Sequence, residues 1–195
     1  MRKAKKTRRY ITERTAEIFN KKGYAGTSLT DLTNATNLTK GSIYGNFQNK
    51  EEVAIAAFNF NYQNLIKRFT SKLSVEKTAK GKLTSFLKTY EEAYDDLMVI
   101  GGCPILNNAV DTDDTNSNLI SLSVKAFVDW NNNLQNIINA GKAAKEIYNV
   151  VDTQYYADLF IVTIEGSLML AKATGKKHYF DHAIQHLKSI VEDVF

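Results

Sequence analysis

The chain has 195 residues, of which 44% are hydrophobic, enough for one large domain or for a small domain joined to a larger one. Its one cysteine, Cys103, excludes an internal disulfide and a zinc site built from several cysteines. No run of 18 apolar residues is present, and the basic start MRKAKKTRRY lacks the apolar stretch of a secretory signal, so we expect a cytoplasmic protein without membrane contact.

Charge is unevenly distributed along the chain, although the net charge is only +4. Residues 1–50 carry eleven Lys and Arg against three Asp and Glu, a balance of +8, whereas residues 51–195 carry fourteen against eighteen, a balance of −4. Such segregation is typical of a protein that binds a polyanion at one end. Charge alone leaves DNA, RNA, an acidic membrane surface and an ordinary solvated face open.

The first predicted helix covers residues 7–22, TRRYITERTAEIFNKK. Its charged residues lie opposite an inward face, at helical spacing, formed by Ile11, Thr15, Ile18 and Phe19. Gly23 is expected to end this helix because glycine readily adopts a positive φ just past a helix end.

A second, short helix is predicted to begin at Ser28. Ser28 and Asp31 have the spacing of a capping box, in which the side chain of each residue accepts a hydrogen bond from the backbone N–H of the other. The buried positions of this helix are Leu29, Leu32 and Ala35. Asn37 is expected to take the left-handed conformation in the turn that follows, since asparagine tolerates it better than other non-glycine residues.

Thr39 is predicted to cap a third helix, in which Ile43 and Phe47 face inward at i, i+4. The segment QNKEEV at residues 48–53 then opens a fourth helix. Two short helices joined by a short turn form a helix-turn-helix. The second helix of this motif is small enough to enter the DNA major groove, about 12 Å wide, with its first residues facing base edges.

Several residues around the third helix are candidates for contact with DNA. The positions that fall off its buried face are Lys40, Ser42, Tyr44 and Asn46. Gly41 permits close approach of a phosphate, and Lys40 and Lys50 flank the helix as point charges. Arg8 and Arg9 could add phosphate contacts, which position a protein without reading sequence.

Residues 11–53 resemble the DNA-binding domain of the TetR family of transcriptional regulators, especially in AEIFNKKGYAGTSLTDL and TKGSIYGNFQNKEEV. Two places depart from the family pattern. Asn37 replaces a common glycine, and Gly45-Asn46 replace a common histidine or second aromatic residue. The resemblance implies phosphate contacts from Thr27, Lys40, Tyr44 and Lys50. It implies positions nearer the bases for Thr39, Ser42 and Asn46.

The rest of the chain is also predicted to be helical, with Gly101-Gly102 breaking the chain and Pro104 opening a new helix. The predicted fold is therefore all-α with about nine helices. A helix-turn-helix DNA-binding domain is expected at residues 5–51, with its motif at about 28–47. A helical ligand-binding and dimerisation domain is expected at residues 52–195, with 152–195 supplying the dimer helices.

Aromatic residues of the middle helices are candidates for the wall of a small-molecule pocket, although each one alone is also explained as ordinary core. They are Phe86, Tyr90, Tyr94, Met98, Phe127, Trp130 and Tyr156. In the TetR family such a cavity binds an inducer that moves the DNA-binding heads out of register. The resemblance therefore implies a repressor released by an unidentified small molecule. GCPILNNA resembles a segment that lines or adjoins the cavity in some members.

The last two predicted helices carry apolar patterns that suit a dimer interface, or alternatively the core of a monomer. The candidate interface residues are Leu159, Ile164, Leu168, Phe180, Ile184, Leu187 and Val191. The resemblance implies a four-helix bundle built by a homodimer. Such a dimer would place its two third helices about one DNA turn, ~34–36 Å, apart and would require a palindromic operator.

Metal binding and catalysis are two alternatives to DNA binding. His178, His182 and His186 recur every four residues, and such pairs can share a metal ion, but a histidine stripe without a metal is favoured here. The sequence has no G-x-S-x-G, Walker or G-x-G-x-x-G motif, and Cys103 is expected to be buried and inert. We therefore expect no catalytic residue, metal or cofactor. An activator, or an architectural DNA-binding protein without an effector, remains the alternative to a repressor.

Overall fold

The computed structural model describes residues 2–195, which form nine α-helices and no strand. The helices are α1 Arg2–Gly26, α2 Leu29–Thr36, α3 Lys40–Tyr44, α4 Lys50–Leu73, α5 Ala79–Val99, α6 Pro104–Thr112, α7 Ser117–Ala143, α8 Thr153–Thr174 and α9 His178–Asp193. The all-α prediction with about nine helices is confirmed. No helix in this range combines the length and the apolar character needed to cross a membrane.

The chain falls into two compact units. The first contains the residues up to Leu65 together with Ile100–Val124, and the second contains Ile66–Val99 and Lys125–Phe195. This grouping places α6 and the start of α7 with the helix-turn-helix, unlike a division at residues 51 and 52. The division into a DNA-binding domain at 5–51 and a ligand-binding and dimerisation domain at 52–195 stays a prediction.

The first unit has its own apolar core, contributed by α1, α2, α3, α4 and α7. Its buried members are Ile11, Ala16, Phe19, Leu32, Ile43, Phe47, Val53, Ala54, Ala57 and Leu119. Thr15 and Thr36 are also buried, and each hydroxyl donates to a carbonyl one turn earlier in its own helix, at 2.9 and 2.7 Å. These bonds satisfy polar groups that would otherwise be costly to bury.

Local signals in the sequence correspond to local geometry in the first unit. The helical geometry of α1 is interrupted at Gly23, with φ 72° and ψ 178°, as expected for a glycine at a helix break. Ser28 and Asp31 form the predicted capping box, and Asn37 is left-handed, with φ 52° and ψ 30°. Pro104 occupies the first turn of α6. These four predictions are confirmed.

The segment between α5 and α6 is held against α1 by side-chain amides. Asn20 Nδ2 donates to the carbonyls of Ile100, at 2.8 Å, and Gly102, at 3.1 Å. Asn107 Nδ2 donates to the carbonyls of Gly101, at 2.7 Å, and Asn20, at 3.1 Å. The segment GCPILNNA, expected at a ligand cavity, is therefore bonded to α1 in the first unit.

The second unit is built around α5, α8 and α9. The face of α9 formed by Phe180, Ile184, Leu187 and Val191 is almost fully buried, and α9 packs against both α5 and α8. A cluster of aromatic rings joins α4, α5, α7 and α8 through Phe69, Phe86, Tyr90, Trp130 and Phe160. Packing of one amphipathic face against another is the usual source of stability for such helices.

The capping box predicts a specific response to acid. Asp31 accepts hydrogen bonds from Lys22 Nζ at 2.6 Å and from Ser28 N and Oγ, both at 2.8 Å, and these donors lower its pKa from 3.8 to about 2. A lowered carboxyl pKa stabilises the fold above the unfolded pKa, and this contribution is lost as pH falls toward the folded pKa. Asp31→Asn should therefore melt at a lower temperature than wild type at pH 7, and the difference should shrink as pH falls from about 4 to about 2. A difference that stays constant down to pH 2 would contradict this account.

Candidate DNA-binding surface

The third helix is presented to solvent by two buried side chains and a cap. The Thr39 hydroxyl accepts a hydrogen bond from Ser42 N at 3.2 Å, which satisfies a donor at the helix start. Ile43 is fully buried and Phe47 is 2% exposed, so both residues anchor the inner side of α3. The predicted cap and the burial of Ile43 and Phe47 are confirmed, but α3 ends at Tyr44, so Phe47 lies beyond the helix and not on its inner face.

The outward side of α3 carries the residues that were predicted to meet DNA. Lys40 and Gly41 are exposed, and Ser42, Tyr44 and Asn46 are half-buried. A Cβ added to Gly41 would approach no neighbouring atom closer than 4.0 Å. The packing of the chain therefore does not require glycine here, and the predicted close approach of a phosphate to Gly41 stays a prediction.

Three other predicted contact residues have roles within the protein. Thr27 is 1% exposed and its hydroxyl donates to the Gly23 carbonyl at 2.6 Å, so its side chain does not reach the surface. Asn46 Nδ2 donates to the Ser42 carbonyl at 2.9 Å. Lys50 is half-buried, with Nζ 4.5 Å from the ring centroid of Tyr24. The roles of these side chains in DNA contact stay predictions.

The phenol of Tyr24 lies in an environment that favours its neutral form. Burial raises its pKa most, and the nearby Glu51 carboxylate and Tyr44 phenol raise the pKa further. A neutral ring keeps its negative face available to the Lys50 ammonium. This contact thereby holds the Lys50 ammonium over the Tyr24 ring, at the start of α4.

The two arginines expected to contact phosphates are both engaged within the chain. Arg8 contacts the backbone of Asn46, the carboxylate of Glu52 and the ring of Phe47, whereas Arg9 Nε donates to Glu13 Oε1 at 2.6 Å on the same helix. Sequence reasoning missed the contacts of Arg8, because its partners lie 38 and 44 positions away. No local spacing rule connects residues that far apart.

The structure places the seven aromatic and Met candidates for a ligand pocket at several points of the second unit, and their role in ligand binding stays a prediction. Phe86, Tyr90 and Trp130 belong to the aromatic cluster, with ring centroids 5.3 to 6.0 Å apart. Tyr94 packs on Phe180 at 4.7 Å and Tyr156 packs on Phe195 at 5.2 Å. The last two candidates lie elsewhere in the second unit: Met98 is half-buried near the end of α5, and Phe127 lines a groove.

That groove is an open depression of about 440 Å³ between α7 and α8. Its floor and sides include Phe127, Val128, Asn131, Gln154, Asp158 and Val162. Asn131 Nδ2 and Gln154 Nε2 both donate to Asp158 Oδ1, at 2.6 and 2.8 Å. The groove therefore combines apolar walls with a network of amide groups around one carboxylate.

The side chains predicted for the dimer interface are mostly buried within one chain. Exposure is 0 to 2% for Ile164, Leu168, Phe180, Ile184, Leu187 and Val191, and Leu159 is half-buried. While α5, α8 and α9 pack in this way, these six side chains are unavailable to a second chain. The large apolar residues that α8 and α9 expose are Tyr155, Val162, Met169, Leu170 and Tyr179.

The histidine stripe lies on the exposed side of α9. The rings of His178 and His182 are 5.6 Å apart, and both residues are exposed, as is His186. Within the described residues, no three side chains of His, Cys, Asp or Glu come together as a metal site. Cys103 is buried, at 3% exposure, and precedes α6.

Two family models match the chain. Residues 11–57 match the model for bacterial regulatory proteins of the tetR family, which covers the helix-turn-helix. Residues 79–187 match the model for the tetracyclin repressor-like C-terminal domain, which covers most of α5 to α9.

Three individual proteins that are similar to this chain are also regulators of transcription. A TetR-family transcriptional regulator from Cytophaga hutchinsonii is 42% identical, with a TM-score of 0.92 over 98% of this chain and 96% of that one. A TetR transcriptional regulator from Chloroflexus aurantiacus J-10-FL is 34% identical, with a TM-score of 0.94 over 100% of this chain and 98% of that one. The HTH-type transcriptional repressor DhaR from Mycobacterium sp. (strain GP1) is 23% identical over 174 residues, 89% of this chain and 86% of that protein. The chain is a transcriptional regulator of the TetR family, with a helix-turn-helix DNA-binding region.

Proposed function

We propose that this regulator is a repressor that binds a palindromic operator as a homodimer and is released by a small-molecule inducer. Sequence-specific DNA binding is proposed mainly on the geometry of α3. Ile43 and Phe47 are buried and hold the helix against the core, while Lys40, Gly41 and Ser42 lie on its outer side. The charge balance of +8 in residues 1–50 supports binding to a polyanion. The similarity to DhaR, a transcriptional repressor, supports repression over activation. The proposed mode of action is binding in the cytoplasm, where bacterial operators lie, and not catalysis.

The proposed dimer uses the exposed apolar side of α8 and α9. Tyr155 and Val162 on α8 are 57% and 63% exposed, Met169 and Leu170 on the same helix are 50% and 42% exposed, and Tyr179 on α9 is 36% exposed. Four of these five residues lie on α8, and large apolar side chains exposed along one helix suit contact with a second chain. The buried residues of α8 and α9 then serve the interface indirectly, because they hold the two helices together.

The proposed inducer binds in the second unit, and two places there have suitable chemistry. The groove at Phe127 is open and lined by amides, whereas the cluster of Phe86, Tyr90 and Trp130 is closely packed and would have to open around a ligand. An inducer acts only through a difference in its affinity for the DNA-binding and released states. We therefore propose that the ligand favours the state whose α3 helices cannot span both half-sites.

The function is tested by selecting bound duplexes from a random DNA pool and titrating salt on the selected sequence. We expect a palindrome whose log affinity falls steeply with log salt. Ser42→Ala and Asn46→Ala should lose preference for the selected sequence, because base contacts specify. Lys50→Ala should weaken all duplexes alike and reduce the salt slope by about 0.9, because it removes one phosphate contact. If no sequence is selected, the proposal is contradicted. If no metabolite extract changes the affinity for the selected DNA, the part of the proposal that concerns an inducer is wrong.

A further inference from the structure

Arg8 joins three helices of the first unit through one guanidinium. Its Nη1 donates to the carbonyl of Asn46 at 2.6 Å, just past the end of α3. Its Nη2 donates to Glu52 Oε1 at 2.6 Å, in the first turn of α4. Its Cζ lies 4.1 Å from the ring centroid of Phe47. The planar fork of arginine can make such contacts at once, whereas the single ammonium of lysine cannot.

The partner carboxylate of Glu52 holds the same stretch of chain from its other oxygen. Glu52 Oε2 accepts a hydrogen bond from Gln48 N at 2.6 Å. The backbone N–H of Glu52 donates to Asn49 Oδ1 at 2.8 Å, which caps the start of α4. The backbone N–H of Gln48, together with the Arg8 guanidinium, keeps the pKa of Glu52 below its usual value. The connection from Asn46 to Gln48 is therefore fixed by Arg8 at its carbonyl end and by Glu52 at its N–H end.

The third helix depends on such contacts because it is very short. It contains only Lys40–Tyr44, five residues, and isolated helices below about 12–15 residues are marginal in water. Ile43 and Phe47 hold α3 against the core, but two apolar contacts leave rotation of its far end possible. The Arg8 and Glu52 contacts restrict that end, where Asn46 is predicted to lie near the bases.

We propose that Arg8 is a positioning residue for DNA reading, which orients the end of α3 through Asn46, Phe47 and Glu52 and does not itself neutralise a phosphate. This inference rests on the proposed recognition of an operator by α3. Since its guanidinium is committed to Glu52, Arg8 contributes little net charge to the surface. Loss of its geometry, and not loss of its charge, should then impair recognition.

Two conservative variants give opposite outcomes for positioning and for phosphate contact. Arg8→Lys keeps the charge and removes the fork, and Glu52→Gln keeps the shape and removes the charged partner. For positioning, we expect each variant to lose about tenfold or more in affinity for the selected operator, with little change for random duplex and an unchanged salt slope. For a phosphate contact, Arg8→Lys would bind as wild type, and Glu52→Gln would free Arg8 and bind both duplexes more tightly.

Arg68→Lys is the matched control, because Arg68 is exposed, its Nη2 donates to Asp96 Oδ2 at 2.6 Å, and both residues lie in the second unit, outside every predicted DNA contact. It should keep the ratio of operator to random affinity. Amide hydrogen exchange in the free protein adds a readout without DNA: Gln48 N–H should exchange faster in Arg8→Lys and Glu52→Gln, with the melting temperature showing that both remain folded.

If the wild-type protein prefers an operator and both variants keep its ratio of operator to random affinity, the positioning role of Arg8 is wrong while the proposed function stands. Tighter binding by Glu52→Gln would also overturn it. Failure of the wild-type protein to prefer any sequence would instead defeat the proposed function, and with it this role.

Discussion

Gly23→Ala is expected to destabilise the protein by about 3 kcal/mol or more. Gly23 has φ 72° and ψ 178°, a backbone region almost closed to residues with a Cβ, and an added Cβ would overlap the Asp111 carboxylate. That carboxylate accepts a hydrogen bond from the backbone N–H of Tyr24, so its displacement would also break the contact between α6 and the end of α1. Denaturant unfolding followed by circular dichroism, at one fixed protein concentration, measures the loss.

Gly175→Ala is the matched control for this prediction. Gly175 also has a positive φ, 68°, but with ψ 16°, and an added Cβ there would meet no atom within 4 Å. We expect a loss of about 1 kcal/mol, the ordinary cost of a left-handed alanine. Equal losses at the two glycines would show that the Asp111 contact has no part in the effect, and an unaffected Gly23→Ala would refute the described geometry of the break.

Phe86→Ala is expected to cost about 3–5 kcal/mol, the usual range for deleting a buried phenyl group. Phe86 is 3% exposed, and its ring centroid lies 5.1 Å from that of Phe69 and 5.3 Å from that of Tyr90. Such rings fill the space among α4, α5, α7 and α8, so their removal leaves a cavity. The same unfolding measurement gives the free energy, and the midpoint of thermal unfolding should fall in parallel.

Tyr148→Ala serves as the control, since Tyr148 is 80% exposed and its truncation should change stability by less than about 0.5 kcal/mol. A loss below about 1 kcal/mol for Phe86→Ala would mean that the cluster is loosely packed. The cluster would then resemble a preformed pocket more than a core. The result therefore also bears on whether an inducer must open these rings or finds space already present.

The local structure of the helix-turn-helix was predictable from the sequence because its signals are local, while its contacts with DNA stay a prediction. Ser28 and Asp31 are three residues apart, and Ile43 and Phe47 are four apart, so backbone geometry alone brings each pair together. Thr27 is the exception. The family resemblance implied a phosphate contact for Thr27, which stays a prediction, whereas the structure buries its side chain and its hydroxyl donates to the Gly23 carbonyl.

An apolar stripe predicts that one face of a helix is buried, but it does not identify the surface against which that face packs. The pattern Phe180, Ile184, Leu187 and Val191 predicted a buried face on α9 correctly, but the same pattern suits packing on α5 and α8 or on a second chain. The aromatic candidates show the same limit. Phe86 and Tyr94 recur on one helix, yet Phe86 meets Phe69 and Tyr94 meets Phe180.

The helical fold class, the helix-turn-helix with its caps and turn, and the family follow from residue types at short, fixed spacings, so they were predictable from the sequence. The structure was needed to show that Arg8 contacts Glu52 across 44 positions, that Asp111 contacts the backbone at Tyr24, and that α9 buries its stripe within its own chain. Such contacts form when distant segments pack. Their free energy comes from the burial of both partners, and no short-range spacing encodes which partners meet.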